Sequence, residues 1–508
     1  MSVRTAFGLA LRQLALAVFG NSDFHGAAIS LSGVVLGADI ADNLLLATDG
    51  VRALEPTAQD APAALLAAAL RIADNVFVCS DSAVGLDGLV GHMLDTRITG
   101  NQVLGTHGAG LSATGLALAG ASLRVSGNNL DVHGPGIRCA SGGAWIGENK
   151  LHATRDGDRV LAGAGITLAT GLDKGGLDQA QLLANQIDGF PDAGIAVETP
   201  VQDLVAKLNI IGQCGNGIVM AGTAGAASVS IENNHLREIG LGAATVSTIG
   251  IGVTRAEAAT IAGNTLRQIG TAAGDSKQLV AGIAALSVLR PRVGGNEVTE
   301  LGPLQDFGGT AAGIAIRAPY RQAEVHHNHV ERDAQFNSAQ SGTAWFALQI
   351  DEPLAGANAA VSRLGSYTAL RVDERRTLVL AGGKAFVDTV DAAAGIDPTT
   401  GAAVALPGAN ASVLGNVFVA RGRTPAVDVT ASGDVLFNDN RCELRAAGGT
   451  AVLLDTPVAV VSANRVRGGE TSITVPDPKA LVTAIGNITT RPIAAPLKAE
   501  MLPLNLIG

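Results

Sequence analysis

The chain has 508 residues and 51.0 kDa, with 65 Gly, 47% hydrophobic residues, 16% charged and only 3% aromatic. Low charge with abundant Val, Ile and Leu excludes a disordered chain, and the glycines keep no G-x-y period, which excludes collagen. A net charge of −10 removes the basic footprint that a nucleic-acid partner or an anionic membrane would require.

The first twenty residues, MSVRTAFGLALRQLALAVFG, place Val3, Phe7, Leu11, Leu14 and Val18 on one helical stripe. Ser2 stands as N-cap and Gly20 as stop, so an amphipathic capping helix is expected over residues 1–21. Arg12 and Gln13 interrupt the apolar run and no A-x-A site follows. The expected location is therefore cytoplasmic, or delivered without a classical signal peptide, rather than secreted. Ala61–Arg71, APAALLAAALR, reads as a short inserted helix. The longest uncharged stretch, Ile98–Leu123, holds His107 and many Gly, Ser and Thr, so no membrane span is expected. Four cysteines form no disulfide framework, and Cys139 and Cys442 take repeat positions held elsewhere by Val, Ile or Leu.

From residue 40 onward one pattern recurs, apolar-x-x-Asn-x-apolar. Copies include Ile40–Asn43–Leu45, Ile72–Asn75–Phe77, Ile98–Asn101–Val103, Ile231–Asn234–Leu236, Val293–Asn296–Val298 and Val413–Asn416–Phe418, while Asn209 and Asn487 sit in degenerate copies. The spacing varies, from 21 residues between Asn128 and Asn149 to 36 between Asn149 and Asn185. Between the asparagines stands Gly-apolar-x-apolar, as at Gly136–Cys139, Gly194–Val197 and Gly313–Ile316. Each unit thus holds two or three period-2 strands separated by Gly and Asn turns. Strands stacked coil on coil, about 4.8 Å apart, would bury such residues like on like. An inward Asn at one corner would bond its copies above and below, and Asn also tolerates a left-handed corner backbone.

The runs IENNHL (Ile231–Leu236), TIGIGV (Thr248–Val253), IAGNTL (Ile261–Leu266) and AGIA (Ala281–Ala284) resemble the right-handed parallel β-helix repeat superfamily. That superfamily includes pectate lyases, polygalacturonases and phage tailspikes. The resemblance covers residues 22–350 and 412–490 and implies an all-β fold, a single-stranded right-handed parallel β-helix or solenoid. The expected organisation is a capping helix at 1–21, coils at 22–351, an inserted hairpin or projection at 352–411, further coils at 412–490 and an extended tail at 491–508. The insert contains candidate strands at Thr377–Leu380 and Lys384–Val387.

The densest polar cluster is VHHNHVERD, residues 325–333. As a strand it would put His327 and His329 on one face with Glu331 after them and Asp333 beyond, a set suited to metal coordination or acid–base work. Aligned on Asn, however, the third position after it reads Asp131, His152, Asp188, Arg237, Arg267, Thr299 and Glu331, which looks like a surface charge ladder. Trp345 and Phe346 lie close after the cluster and would suit a small pocket. Asp156-Gly157-Asp158 with Arg155 and Arg159 reads as a turn rather than a calcium site. The Gly-His-Gly and Asn-Thr-Asp motifs of polygalacturonases are missing. The expectation is a non-enzymatic structural or binding β-helix, an oligomer or part of a larger assembly such as a phage-tail-like one, with carbohydrate as a partner and no cofactor or metal. The alternative is a polysaccharide lyase or glycoside hydrolase using His327, His329, Glu331 and Asp333.

Overall fold

The computed structural model describes residues 2–7, 10–12, 15–17, 26–53, 66–86, 93–114, 122–154, 163–170, 176–220, 224–240, 247–271, 279–302, 310–317, 320–332, 344–351, 409–422, 424–445 and 448–508. They form strand after strand with no α-helix, and each strand pairs in parallel with strands of the coil before and the coil after. This is the parallel solenoid that the repeat calls for. It divides into two compact units, residues 1–215 with 223–227, and residues 216–222 with 228–351 and 409–508.

In the first unit the apolar residue three before each Asn stacks in one column: Ile40, Ile72, Ile98, Val125, Ile146, Leu182. The apolar residue two after it builds a second column on the next sheet: Leu45, Phe77, Val103, Leu130, Leu151, Ile187, Ile211. All of these are buried, each worth about 1.5–3 kcal/mol of removed apolar surface. The second unit repeats the scheme with Ile261, Val293, Val325, Val413, Phe437 and Val461. Cys442 lies between Phe418 and Val466 in the companion column. The four cysteines are free and buried, and burial pushes the Cys139 thiol up to about 12. A third sheet carries Ile251, Ile283, Ile314, Leu348 and Val427. Its entry glycines are required by close approach: a Cβ on Gly250 would stand 2.5 Å from Leu266 Cδ2 and 2.6 Å from the Gly282 carbonyl oxygen.

The corner between the first two sheets is held by the asparagines. Asn75 donates from N and Nδ2 to Asn101 Oδ1 at 3.1 and 3.0 Å, and its Nδ2 also reaches back to the Ile40 carbonyl at 2.9 Å. The ladder runs Asn43 to Asn209 in the first unit and Asn234 to Asn505 in the second. Asn209 and Asn487, degenerate in sequence, are full rungs. The left-handed residue is the one before each Asn from Asn43 to Asn487 rather than the Asn itself. Asp42, Glu148, Leu208, Asn233, His327 and Ala463 all have φ between 54 and 60°, and Gly100, Gly263 and Gly415 have 63 to 67°.

Three expectations change. The amphipathic capping helix is not formed: Ser2–Phe7, Ala10–Arg12 and Ala15–Ala17 are strands paired in parallel with the next coil. Leu11 stands opposite Ile40 and Leu16 opposite Leu45, so these strands take the register of a first copy of the repeat. The inserted helix at Ala61–Arg71 fails likewise. Leu66–Ala68 is a strand and Arg71 begins another, while residues 61–65 lie outside the described residues. The extended tail is instead a partial coil, with strands Ile493–Ala494 and Leu506–Ile507 and a 3-10 helix Ala499–Leu504. Coils resume at Asn410–Leu414, which pairs with Gln322–His326; residues 352–408, with both candidate strands, lie outside the described residues.

Replacing Asn296 by Ala strips the acceptor from Asn264 N–H and Nδ2 and the donor from the Ile261 carbonyl. Buried groups left unpaired cost about 1–3 kcal/mol each, so the expected loss is roughly 4 kcal/mol in guanidinium denaturation. Asn505→Ala, at the final rung, where the residue is 9% exposed against 1% for Asn296, should cost less.

Candidate functional site

The structure takes the histidine cluster apart. His327 occupies the left-handed corner position before Asn328, so the chain turns between it and His329, and the two do not share a face. His326 and His327 stay together, Nδ1 to Nδ1 at 3.4 Å with rings edge to face. Each ring covers a glycine of a neighbouring coil. A Cβ on Gly294 would fall 2.1 Å from His326 Cε1, and one on Gly415 would fall 3.1 Å from His327 Cδ2.

Beyond the corner, His329 Nε2 lies 3.3 Å from Glu331 Oε2 on an exposed face. The other Glu331 oxygen is 3.4 Å from Arg445, whose Nε donates to Glu443 at 2.8 Å. The Arg445 hydrogen bond holds the Glu443 carboxyl below its usual range. Glu331 is thus part of a surface ion-pair ladder, with Arg267–Glu300 and Arg292–Glu324 as further cross-coil pairs. Asp333 lies outside the described residues, as do Asp156, Asp158 and their flanking arginines.

The expected pocket at Trp345 and Phe346 does not form, because consecutive strand residues point to opposite faces. Trp345 is fully buried inside, under the guanidinium of Arg332 at 5.6 Å. Arg332 is itself buried, and burial, with Arg421 second, brings its guanidinium down to about 10. Phe346 joins Ile249, Ala281 and Ala312 in a separate apolar cluster.

A different constellation lies in the first unit. On the outward face of the sheet preceding the Asn corner, the residues paired coil to coil are Arg71, Arg97, Arg124, Trp145 and Gln181. Arg124 Cζ stands 4.3 Å above the Trp145 ring, and its Nε donates to Ser126 Oγ at 3.3 Å. The benzo end of the indole rests on Gly147, where a Cβ would come within 2.6 Å of Cη2. Gly143, two residues before Trp145 in the same strand, adds no side chain to the lining. The result is a groove of about 420 Å³ lined by Asp95, Arg97, Ser122, Arg124, Gly143, Trp145, Gln179 and Gln181. Arg97 is fixed by Asp95 through two bonds of 2.9 and 3.2 Å. Among the described residues, by contrast, Arg124 has no carboxylate partner, and the side chains of Ser122, Gln179 and Gln181 have no hydrogen-bond partner.

These groove residues were legible at one offset. Arg71, Arg97, Arg124, Trp145 and Gln181 each stand four before a ladder asparagine. On the sheet after the corner, Asp131, His152 and Asp188 are aligned in successive coils, with His152 Nδ1 3.6 Å from Asp188 and Thr154 Oγ1 donating to Asp131. His107 and His133 stack nearby at 4.9 Å between ring centroids. No group of three His, Cys, Asp or Glu side chains among the described residues is arranged to hold a metal ion. No helix among them is long and apolar enough to cross a membrane.

No family model, curated protein or solved structure matches the chain.

Desolvation, then the neighbouring His327 and Arg292, lower the pKa of His326. The unfolded chain therefore takes up this proton first, as pH falls through about 6.5, and stability declines from there until the folded ring also titrates. Above that window the group has no effect. Urea denaturation should show wild type losing more stability than His326→Gln between pH about 7.5 and 5. An NMR titration should place His326 below the ordinary histidine value.

Proposed function

We propose that the protein is a non-enzymatic structural or binding β-helix, a component of a larger assembly, whose ligand face is the groove beside Trp145 and whose ligand is a saccharide. The observation that carries this reading is the row Arg124–Trp145–Gln181 with Ser122 and Gln179, polar groups held in place by the coils but not engaged with one another. A guanidinium resting on an indole is oriented without losing its remaining N–H donors. Two carboxamides and a hydroxyl add donors and acceptors at the spacing of successive coils, about 4.8 Å, close to the spread of hydroxyl groups around a sugar ring. A few convergent polar groups around one aromatic side chain in a preformed concavity is the usual make-up of a small-ligand site.

The polysaccharide lyase or hydrolase reading keeps one specific support, the column Asp131–His152–Asp188. Its two carboxylates stand two coils apart, roughly 9.6 Å of rise, near the separation used by inverting glycosidases.

One experiment addresses both. Purified protein is titrated with neutral and acidic oligosaccharides by calorimetry, and the same mixtures are followed for chain shortening. Binding without cleavage is expected, with Trp145→Ala and Arg124→Ala each lowering affinity about ten-fold, or 1.4 kcal/mol. Absence of binding across the panel would remove the saccharide from the proposal. Cleavage lost in Asp131→Asn or Asp188→Asn would replace the binding reading with the hydrolytic one.

A further inference from the structure

The second unit ends in a surface unlike the rest of the molecule. Of the thirteen exposed large apolar side chains among the described residues, seven lie between residues 481 and 507: Leu481, Ile485, Ile488, Leu502, Leu504, Leu506 and Ile507. Leu481 is 72% exposed and Leu506 66%. The change occurs within a single outward column, which reads Arg441, Arg465, Ile488, Leu506. Coils that elsewhere present charge ladders here present aliphatic carbon, and an exposed contiguous apolar patch marks an interaction surface.

The last rung here also differs from those before it. In the second unit every earlier ladder asparagine donates its N–H and Nδ2 to the next Asn Oδ1, whereas Asn505 donates elsewhere. Its N–H goes to the Leu502 carbonyl at 3.3 Å and its Nδ2 to the Met501 carbonyl at 2.9 Å, both in the 3-10 helix. The strand Leu506–Ile507 bonds back to the preceding coil, Leu506 N to Asn487 O and Gly508 N to Thr489 O, and among the described residues no strand pairs with its other edge.

We propose that this end is a two-fold interface with a second copy of the chain, Leu506–Ile507 of one copy lying antiparallel to the same strand of the other with the aliphatic patch around it. A two-fold contact needs a self-complementary patch, and an open edge strand beside aliphatic side chains is one. Charge selects the same place. The chain carries −10 in all, and like-charged copies repel. From Asp477 onward the charged side chains are Asp477 and Glu500 against Lys479, Arg491 and Lys498, a local balance of +1, so copies meet here with least repulsion. The inference deepens the assembly reading above by naming the partner and the face.

Sedimentation velocity of the full chain from about 1 to about 100 µM tests it, since a reversible dimer follows mass action. The expected result is a concentration-dependent monomer–dimer equilibrium, shifted at least ten-fold toward monomer by Leu506→Lys and by Ile488→Lys. Leu208→Lys, an exposed apolar position in the first unit, should leave it unchanged. Circular dichroism melts of each variant separate a lost interface from a lost fold, and Leu502→Gln is the milder substitution should either lysine variant unfold. A wild-type chain that stays monomeric overturns the proposal, as does a dimer indifferent to residues 488 and 506, or open-ended polymers. A monomer that still binds saccharide at Trp145 would overturn the interface alone and leave the binding reading intact.

Discussion

Everything in this molecule depends on one repeated hydrogen-bonded corner. A buried turn exposes backbone donors and acceptors that water cannot reach, and each ladder asparagine answers that problem with one carboxamide. Asn296 accepts twice from Asn264, donates to Asn328, and bonds the Ile261 carbonyl of the coil before. The residue ahead of it supplies the left-handed backbone, which is why Gly, Asp and Asn crowd that position and why His327 is found there. Because the corner fixes register, the aliphatic columns on either side stack in order regardless of how many residues each coil spends on its connection. The span from Asn328 to Asn416 is 88 residues, yet their carboxamides meet at 3.0 Å like any other pair.

This explains what the sequence discloses and what it hides. The repeat is readable because the corner is local: apolar, Asn and apolar sit within six residues, and their chemistry does not change from coil to coil. The first coil is misread for the opposite reason. No asparagine follows Leu11 three residues on, so the repeat loses its marker in the sequence, and Val3, Phe7, Leu11 and Leu14 then fit a helical period. Asn505 keeps the flanking apolar residues, Leu502 and Ile507, but its upstream strand is replaced by the 3-10 helix, so a complete rung stands behind an element unlike the others. Ala61–Arg71 shows the same limit: alanine and leucine favour a helix locally, and the pairing of Leu66–Ala68 with the coil before overrides that preference.

Sites in such a fold follow a different geometry from sites in a globular domain. Residues adjacent in sequence are thrown apart by the corner, as His327 and His329 are, while residues some 25 to 35 apart become neighbours. A dense polar cluster in the sequence is therefore weak evidence for a site, and VHHNHVERD resolves into two imidazoles lying over glycines and one carboxylate bound by Arg445. The groove at Trp145 is the converse case. Arg97, Arg124, Trp145 and Gln181 span 85 residues, and no window of ordinary length shows them together. They become a row only when each coil is aligned on its asparagine and the fourth position before it is read.

The same logic indicates where function belongs on a solenoid. Parts of the outer surface are engaged with themselves, through cross-coil pairs such as Arg290–Glu257 and Arg292–Glu324 whose exposed charges contribute little stability but satisfy one another. Groups paired in this way are already satisfied one coil away and recognise nothing else. Chemistry for another molecule must come from positions where the pairing is interrupted. Trp145 interrupts it in the first unit, where Arg124 lies on an indole and not on a carboxylate. Ile488 and Leu506 interrupt it in the second, where aliphatic side chains take over a column of arginines. The scaffold is uniform because its corner is uniform, so a departure from the ladder on an outward column is a more direct sign of function than any motif within a single strand.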